Sequence, residues 1–274
     1  MTAVLTEQQT VARIREARYI AATGPRGAAS FVWGDFVTEP GTTVHGAPGR
    51  WAPLPEGRPG LQVEARAEEG IHLGGRLVDG TAVLHAHEAD GPAVARFPGG
   101  AEGVLFSYDR SQFALQVWNP EAAVERGFAG IAAYDVDGSW IVEAVVTPVD
   151  DGRTVMIPHH RDPRPIPVPV IADVAFEREG VVHHLAATQG PDAGELSVHF
   201  TDVTSGGESS GSGRTVRIPA GAATAVIDFN LAGLLPCSFS PAWNCPLPPA
   251  ENRLPIPVRA GERQVVDARG NPIG

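Results

Sequence analysis

Cys237 and Cys245 are the chain's two cysteines, set eight positions apart in LPCSFSPAWNCPLPPAENRLPIPVRAGER (235–263), a segment with seven of its 25 prolines. Such a pair admits three chemistries. A disulfide could close the loop if the Cα atoms approach within about 7 Å. A thiolate nucleophile would need a neighbouring cation or base. Two reduced thiols could also simply fill apolar space. Around them stand carboxylates and amides, with Asp228 and Asn230 in VIDFN upstream and Glu251-Asn252-Arg253 downstream. Proline fixes φ and removes donors, so this segment cannot form a full ladder and must be held by side chains. If it also lines a pocket, Asp228 or Glu251 is placed as general acid or base. Arg214 or Asn230 would polarise a carbonyl. Asn252, Asp202, Cys237, Cys245 and Trp243 would then line the substrate side.

Other motifs lead away from familiar chemistry. GGESSG (206–211) contains G-x-S-x-G with Ser209 as the serine, but a nucleophile elbow needs a helix to follow. The next segment, RTVRIPA, alternates like a strand, so a Gly/Ser-rich loop is the better reading. Histidines occur as His85/His87, His159/His160 and His183/His184. Only His85 and His87 share a strand face, and no spaced Cys/His quartet accompanies them, so no metal site is expected. No G-x-G-x-x-G joins a strand to a helix. The 21 basic residues are all arginine, which removes Schiff-base and P-loop lysine chemistry. No cofactor is expected.

At 274 residues with 43% hydrophobic content, the chain can bury a sizeable core in one unit or two. A net charge of −11 without a basic stripe argues against nucleic-acid partners. No run approaches a membrane span, and the charged N-terminus lacks the apolar core of a signal peptide. The expectation is a cytoplasmic protein with reduced thiols and a small-molecule ligand or substrate. The oligomeric state stays open, a dimer included.

The elements that must position these residues are mostly strands. Thr6–Ala22 reads as a helix capped by Thr6, with Val11, Ile14, Ala17 and Ala21 along one face. LQVEARA, GIHLGGRLVDGTAVLHAHE and GVLFSYDRSQFALQVWN then alternate apolar and polar. Asp79-Gly80 is the expected hairpin turn in the second of these, and Asp109-Arg110 in the third. SWIVEAVVTPV, GVVHHLAATQ, ELSVHFTDVTSG, RTVRIPA and TAVIDFN follow, and period-2 alternation puts Asp228 and Asn230 opposite Phe229. Pro40–Pro59 and Pro158–Pro169 read as irregular connections. With 32 glycines marking turns, the pattern predicts a mainly β fold. It would be an antiparallel barrel or sandwich with an N-terminal helix and a Pro-rich C-terminal strap. It would form one compact unit, or two β lobes (about 1–157 and 170–274) joined by 158–169.

DFN, the two cysteines and CPLPPAENRLPIPVRAGE closely resemble the C-terminal signature of an uncharacterised bacterial family, domain of unknown function 1684. FTDVTSG…GSGR (200–214) is similar to its preceding motif. ARIREAR, Trp33, Trp51 and ALQVWNPEA fit its N-terminal half more weakly, extending the resemblance over nearly the whole chain. It implies a mostly β protein and carries no activity. The residues that match are Asp202, Thr204, Gly211, Gly213, Arg214, Asp228, Phe229, Asn230, Cys237, Cys245, Pro248, Pro249, Glu251 and Asn252. Ser210 and LAGLLPC replace aromatic and polar residues usual in the family, which implies a more apolar pocket here. The function expected is a cofactor-independent enzyme (isomerase, cyclase or hydrolase) acting on an apolar small molecule. A binding or carrier protein without turnover, and a structural role without a pocket, are the alternatives.

Overall fold

The computed structural model describes residues 6–86, 93–107, 111–162 and 164–273. His87, Asp109 and Arg110 lie outside them. The architecture is mainly β, with antiparallel sheets that include a half-barrel, and an N-terminal helix.

The chain divides into two compact units, 21–126 and a larger one made of 1–20 with 127–274. In the smaller unit, a sheet of six strands is ordered Phe31–Phe36, Ala114–Trp118, Glu102–Phe106, Val94–Arg96, His72–Leu73 and Arg76–Leu77. Beside it Arg50–Pro53, Gly60–Ala65 and Gly80–His85 form a three-stranded sheet. Alternating apolar positions of both sheets meet in one core around Trp51, Leu61, Val63, Ile71, Phe97, Leu115 and Val117. Two expectations are corrected here. The hairpin turn is Gly74-Gly75 rather than Asp79-Gly80. Both glycines have positive φ (55° and 80°), as a tight hairpin requires. Asp79 instead accepts the Ala67 N–H, and Gly80 starts a strand that leaves for the other sheet. Within Pro40–Pro59, Arg50–Pro53 is a strand, fixed by the burial of Trp51.

In the larger unit, seven antiparallel strands are ordered Thr224–Asp228, Ile141–Pro148, Ala172–Arg178, Val181–Gln189, Glu195–Phe200, Arg214–Pro219 and Gly233–Leu234. Their inward residues pack about Phe176, Phe200 and Phe229, whose ring centroids lie 5.4 Å apart from Phe229 to each of the others. Gly130–Ala133 pairs with Glu262–Val266, and Thr154–Ile157 with Ile166–Pro169. Residues 158–169 thus belong to this unit. Prolines survive in the second pair because a two-stranded ribbon leaves one edge of each strand free of ladder bonds.

The helix runs Glu7–Thr23. Thr6 and Gln9 cap it reciprocally, the Gln9 N–H donating to Thr6 Oγ1 and the Thr6 N–H to Gln9 Oε1. Its inward stripe is Val11, Arg15 and Arg18, while Ile14, Ala17 and Ala21 are exposed. The expected apolar face is therefore rotated, because both arginines find partners inside the unit: Arg15 the Tyr134 carbonyl, and Arg18 the buried Glu262.

Candidate functional site

The loop 201–213 leaves Glu195–Phe200 and returns as Arg214–Pro219, a strand and not the helix a nucleophile elbow needs. Ser209 is buried, its hydroxyl 2.8 Å from Thr204 Oγ1. Asp202 organises the loop. Its Oδ1 accepts the Thr204 N–H (2.9 Å), the Thr204 hydroxyl (2.6 Å) and the Ser205 hydroxyl (3.2 Å). Its Oδ2 accepts Arg214 Nη2 (2.7 Å) and the Val258 N–H (2.9 Å). Arg214 also donates to the carbonyls of Val258, Ala260 and Glu262, so both terminal nitrogens are committed to protein acceptors. Burial lowers its pKa, against the pull of Asp202. This buried pair supplies the partners that proline denies the last part of the strap.

Asn252 serves the middle of the strap. Val181–Gln189 and Glu195–Phe200 pair only at Thr188–Ser197 and Gln189–Leu196 and then separate. The Asn252 amide fills the gap, Oδ1 accepting the Ala186 N–H (2.7 Å) and Nδ2 donating to the Ala186 and His199 carbonyls (2.8 Å each). Glu251 beside it is exposed. Asp228 ends its strand by accepting the Asn230 N–H (2.9 Å), which turns Phe229–Leu231 into a 3-10 turn. Strand alternation therefore stops at Asp228, and Asn230 is buried along with Phe229, bonded to both the N–H and the carbonyl of Asp137. Cys237 and Cys245 are buried free thiols packed with Leu235, Trp243 and Leu247. The structure thus brings Asp202 to Arg214, Asp228 to Asn230 and Cys237 to Cys245, with no one point at which all the expected residues converge.

A cavity of about 310 Å³ opens elsewhere in the same unit, lined by Arg15, Tyr19, Ala129, Gly130, Ile131, Ala133 and Glu262. Both Glu262 oxygens are engaged, by Arg18 and by the Leu234 N–H (2.7 Å). Arg15 is not so fully used. One Nη2 bond goes to the Tyr134 carbonyl (2.9 Å), and its buried Nε has no partner among the described residues. Burial lowers the Arg15 pKa, with Glu262, Asp135 and Asp228 acting in the opposite direction. A cleft of about 690 Å³ lies in the smaller unit over Pro53–Leu61, and it has no buried charged group in its lining. No cluster of three or more metal-ligating side chains occurs among the described residues.

The model of a family described as "Protein of unknown function (DUF1684)" matches residues 126–263. The chain belongs to this family. The match begins at Arg126, so the part of the resemblance resting on ARIREAR, Trp33, Trp51 and ALQVWNPEA falls outside it. A solution structure of an uncharacterised protein from Haloarcula marismortui is 31% identical over 53% of this chain and 80% of its own, with a TM-score of 0.43. No curated protein matches the sequence.

Asp202, Arg214, Asn230, Cys237, Cys245, Asn252 and Glu262 all lie in the DUF1684 span, whereas Arg15 and Tyr19 precede it. Sequence reasoning missed Arg15, Tyr19 and Glu262. The usable signal was Arg15 and Arg18 at spacings of four and seven from Val11, a helix stripe that reads as polar until its buried acceptors are known. It also missed His199, whose Nδ1 is buried without a partner among the described residues. Burial, with Arg217 adding to it, lowers the His199 pKa to about 4. Between the ordinary value near 6.5 and that value, only the unfolded chain takes up the proton, so stability is complete above about 6.5 and falls as acid is added. Denaturant titrations should show a loss on the order of 2–3 kcal/mol from this group between pH 7 and 4. His199→Phe should flatten that part of the profile.

Proposed function

We propose that this protein binds a small, mainly apolar molecule carrying a carboxylate or a similar oxygen acceptor, in the cavity of Arg15, Tyr19, Ile131, Ala133 and Glu262. The observation that carries the reading is Arg15 in the cavity lining, with a single hydrogen bond among the described residues (Nη2 to the Tyr134 carbonyl), beside Glu262, whose oxygens are already engaged. The spare polar capacity is a donor, which favours an acceptor on the ligand and disfavours a second cation. Tyr19, Ile131 and Ala133 supply apolar wall, and a volume of about 310 Å³ is at the small end of ligand sites.

Binding has better support than acid–base turnover. Asp228 spends an oxygen on the Asn230 backbone and amide, both terminal nitrogens of Arg214 are committed to Asp202 and three carbonyls, and Glu251 is exposed on the strap. Calorimetric titration with octanoate and benzoate, against 1-octanol and benzyl alcohol, tests the reading. The carboxylates should bind at least tenfold tighter than the alcohols. Arg15→Met, with unchanged circular dichroism, should lose roughly ten- to a hundredfold, the worth of a charge-assisted bond of about 1.5–3 kcal/mol. No heat with either acid, or equal affinity in the variant, would remove the assignment.

A further inference from the structure

The smaller unit has a cleft of its own, and its lining carries an inference independent of the Arg15 cavity. Its volume of about 690 Å³ is within the usual size of ligand sites. The floor is Val37, Leu61 and Phe113, all part of that unit's core, with the Val37 N–H donating to the Phe113 carbonyl at 2.9 Å. One wall is the loop 53–60.

That wall is stiff. Pro53, Pro55 and Pro59 each fix a φ angle. The Arg58 N–H donates to the Pro55 carbonyl at 3.0 Å and closes a β-turn, in which Gly57 takes a left-handed φ of 79°. The Ala86 N–H donates to the Pro59 carbonyl at 3.2 Å. Gly60 follows at φ 139°, where a Cβ would lie 2.3 Å from the Leu84 carbonyl oxygen. A wall fixed in this way loses little entropy when a ligand arrives.

The polar side chains of the lining are unspent. Glu56 and Arg58 flank Gly57, both exposed, and neither makes an ion pair or a side-chain hydrogen bond among the described residues. The same two-residue spacing does close at Asp162–Arg164 (2.7 Å) and Arg66–Glu68 (3.5 Å). Here the turn at Gly57 keeps the two charges from meeting. Thr38 and Gln112 also line the cleft, and their side chains have no partner among the described residues. A carboxylate suits a cation and a guanidinium suits an anion. A hydroxyl and a primary amide can each donate and accept, as a peptide group does. A free amino acid carries its two charges on one carbon, whereas a dipeptide holds them a peptide bond apart and adds apolar side chains for the floor.

We propose that this cleft binds short apolar peptides with both termini free, on the scale of a dipeptide. The ammonium pairs with Glu56 and the carboxylate with Arg58. The peptide group meets Thr38 and Gln112, and the apolar side chains lie on Val37, Leu61 and Phe113.

The test is an NMR titration of the whole protein with leucyl-leucine at low ionic strength, where exposed charge pairs are least screened. The amide signals of Gly57 and Gln112 should shift and saturate. Acetylating the amino end of the peptide, or amidating its carboxyl end, should each weaken binding roughly two- to fivefold, the range of exposed charge pairs. Free leucine should bind more weakly than the dipeptide. In Glu56→Gln the acetylated and free peptides should bind alike, while amidation keeps its full effect. Arg58→Gln should show the reverse. Arg15→Met should leave these affinities unchanged, which separates this cleft from the cavity of the larger unit. No saturable shift at Gly57 or Gln112, capping losses that persist in both variants, or weaker binding in Arg15→Met would overturn the proposal.

Discussion

Arg214→Met should destabilise the larger unit by about 3–5 kcal/mol, the usual cost of removing one member of a buried ion pair. The partner left behind explains the size. The Asp202 side chain is fully buried, so it would be left with only N–H and hydroxyl donors to satisfy it. The carbonyls of Val258, Ala260 and Glu262 would each lose a donor in the same step. In a unit of this size the loss corresponds to a melting temperature lower by about 10 °C. Arg214→Lys should recover only part of it, because one ammonium cannot span Asp202 and three carbonyls as a planar guanidinium does. Asp202→Asn should also destabilise, and the double variant Asp202→Asn/Arg214→Met should cost less than the two single changes added together. Limited proteolysis should cut the strap between 250 and 263 faster in each single variant. A melting temperature for Arg214→Met within 2 °C of wild type would show that the pair does not hold the strap.

Much of this scaffold is legible locally. Thr6 and Gln9 are three positions apart, and their reciprocal cap follows from local chemistry alone. Ile141–Pro148 lies within the expected SWIVEAVVTPV, and Val142, Ala144 and Val146 alternate inward along it. What the sequence leaves open depends on partners far along the chain. Arg15 and Arg18 read as the outer face of a helix, and only Tyr134 and Glu262 turn that face inward. Asp79-Gly80 and Gly74-Gly75 are both turn dipeptides, and the contact of Asp79 with the Ala67 N–H decides between them. The signature residues were recognisable as a group because the proline-rich backbone must be satisfied by side chains. Where each reaches was not recognisable. Asp228 acts two residues away on Asn230, whereas Asn252 acts sixty-six residues away on Ala186.

Asn252 is the clearest case of that long reach, and its removal should be the second large loss. At full burial it satisfies the N–H and carbonyl of Ala186 and the carbonyl of His199, all at a point where two neighbouring strands no longer pair with each other. Asn252→Ala leaves these three groups without it in space too enclosed for easy hydration. At about 1–3 kcal/mol for each unsatisfied group, a loss on the order of 3–5 kcal/mol is expected. The loss should also be local. Amide exchange at Ala186 should accelerate by about a hundredfold, while the Ile141–Pro148 strand follows only the global change. Asn252→Asp separates shape from donor capacity. It keeps the volume and the oxygen facing the Ala186 N–H, but it turns a carboxylate oxygen toward two carbonyls. Its penalty should be largest at neutral pH and shrink in acid, where a protonated carboxyl can again donate one bond. A penalty for Asn252→Asp that is constant between pH 7 and 4, or an unchanged Ala186 amide in Asn252→Ala, would mean that the strap is held by its other pins and that Asn252 only fills space.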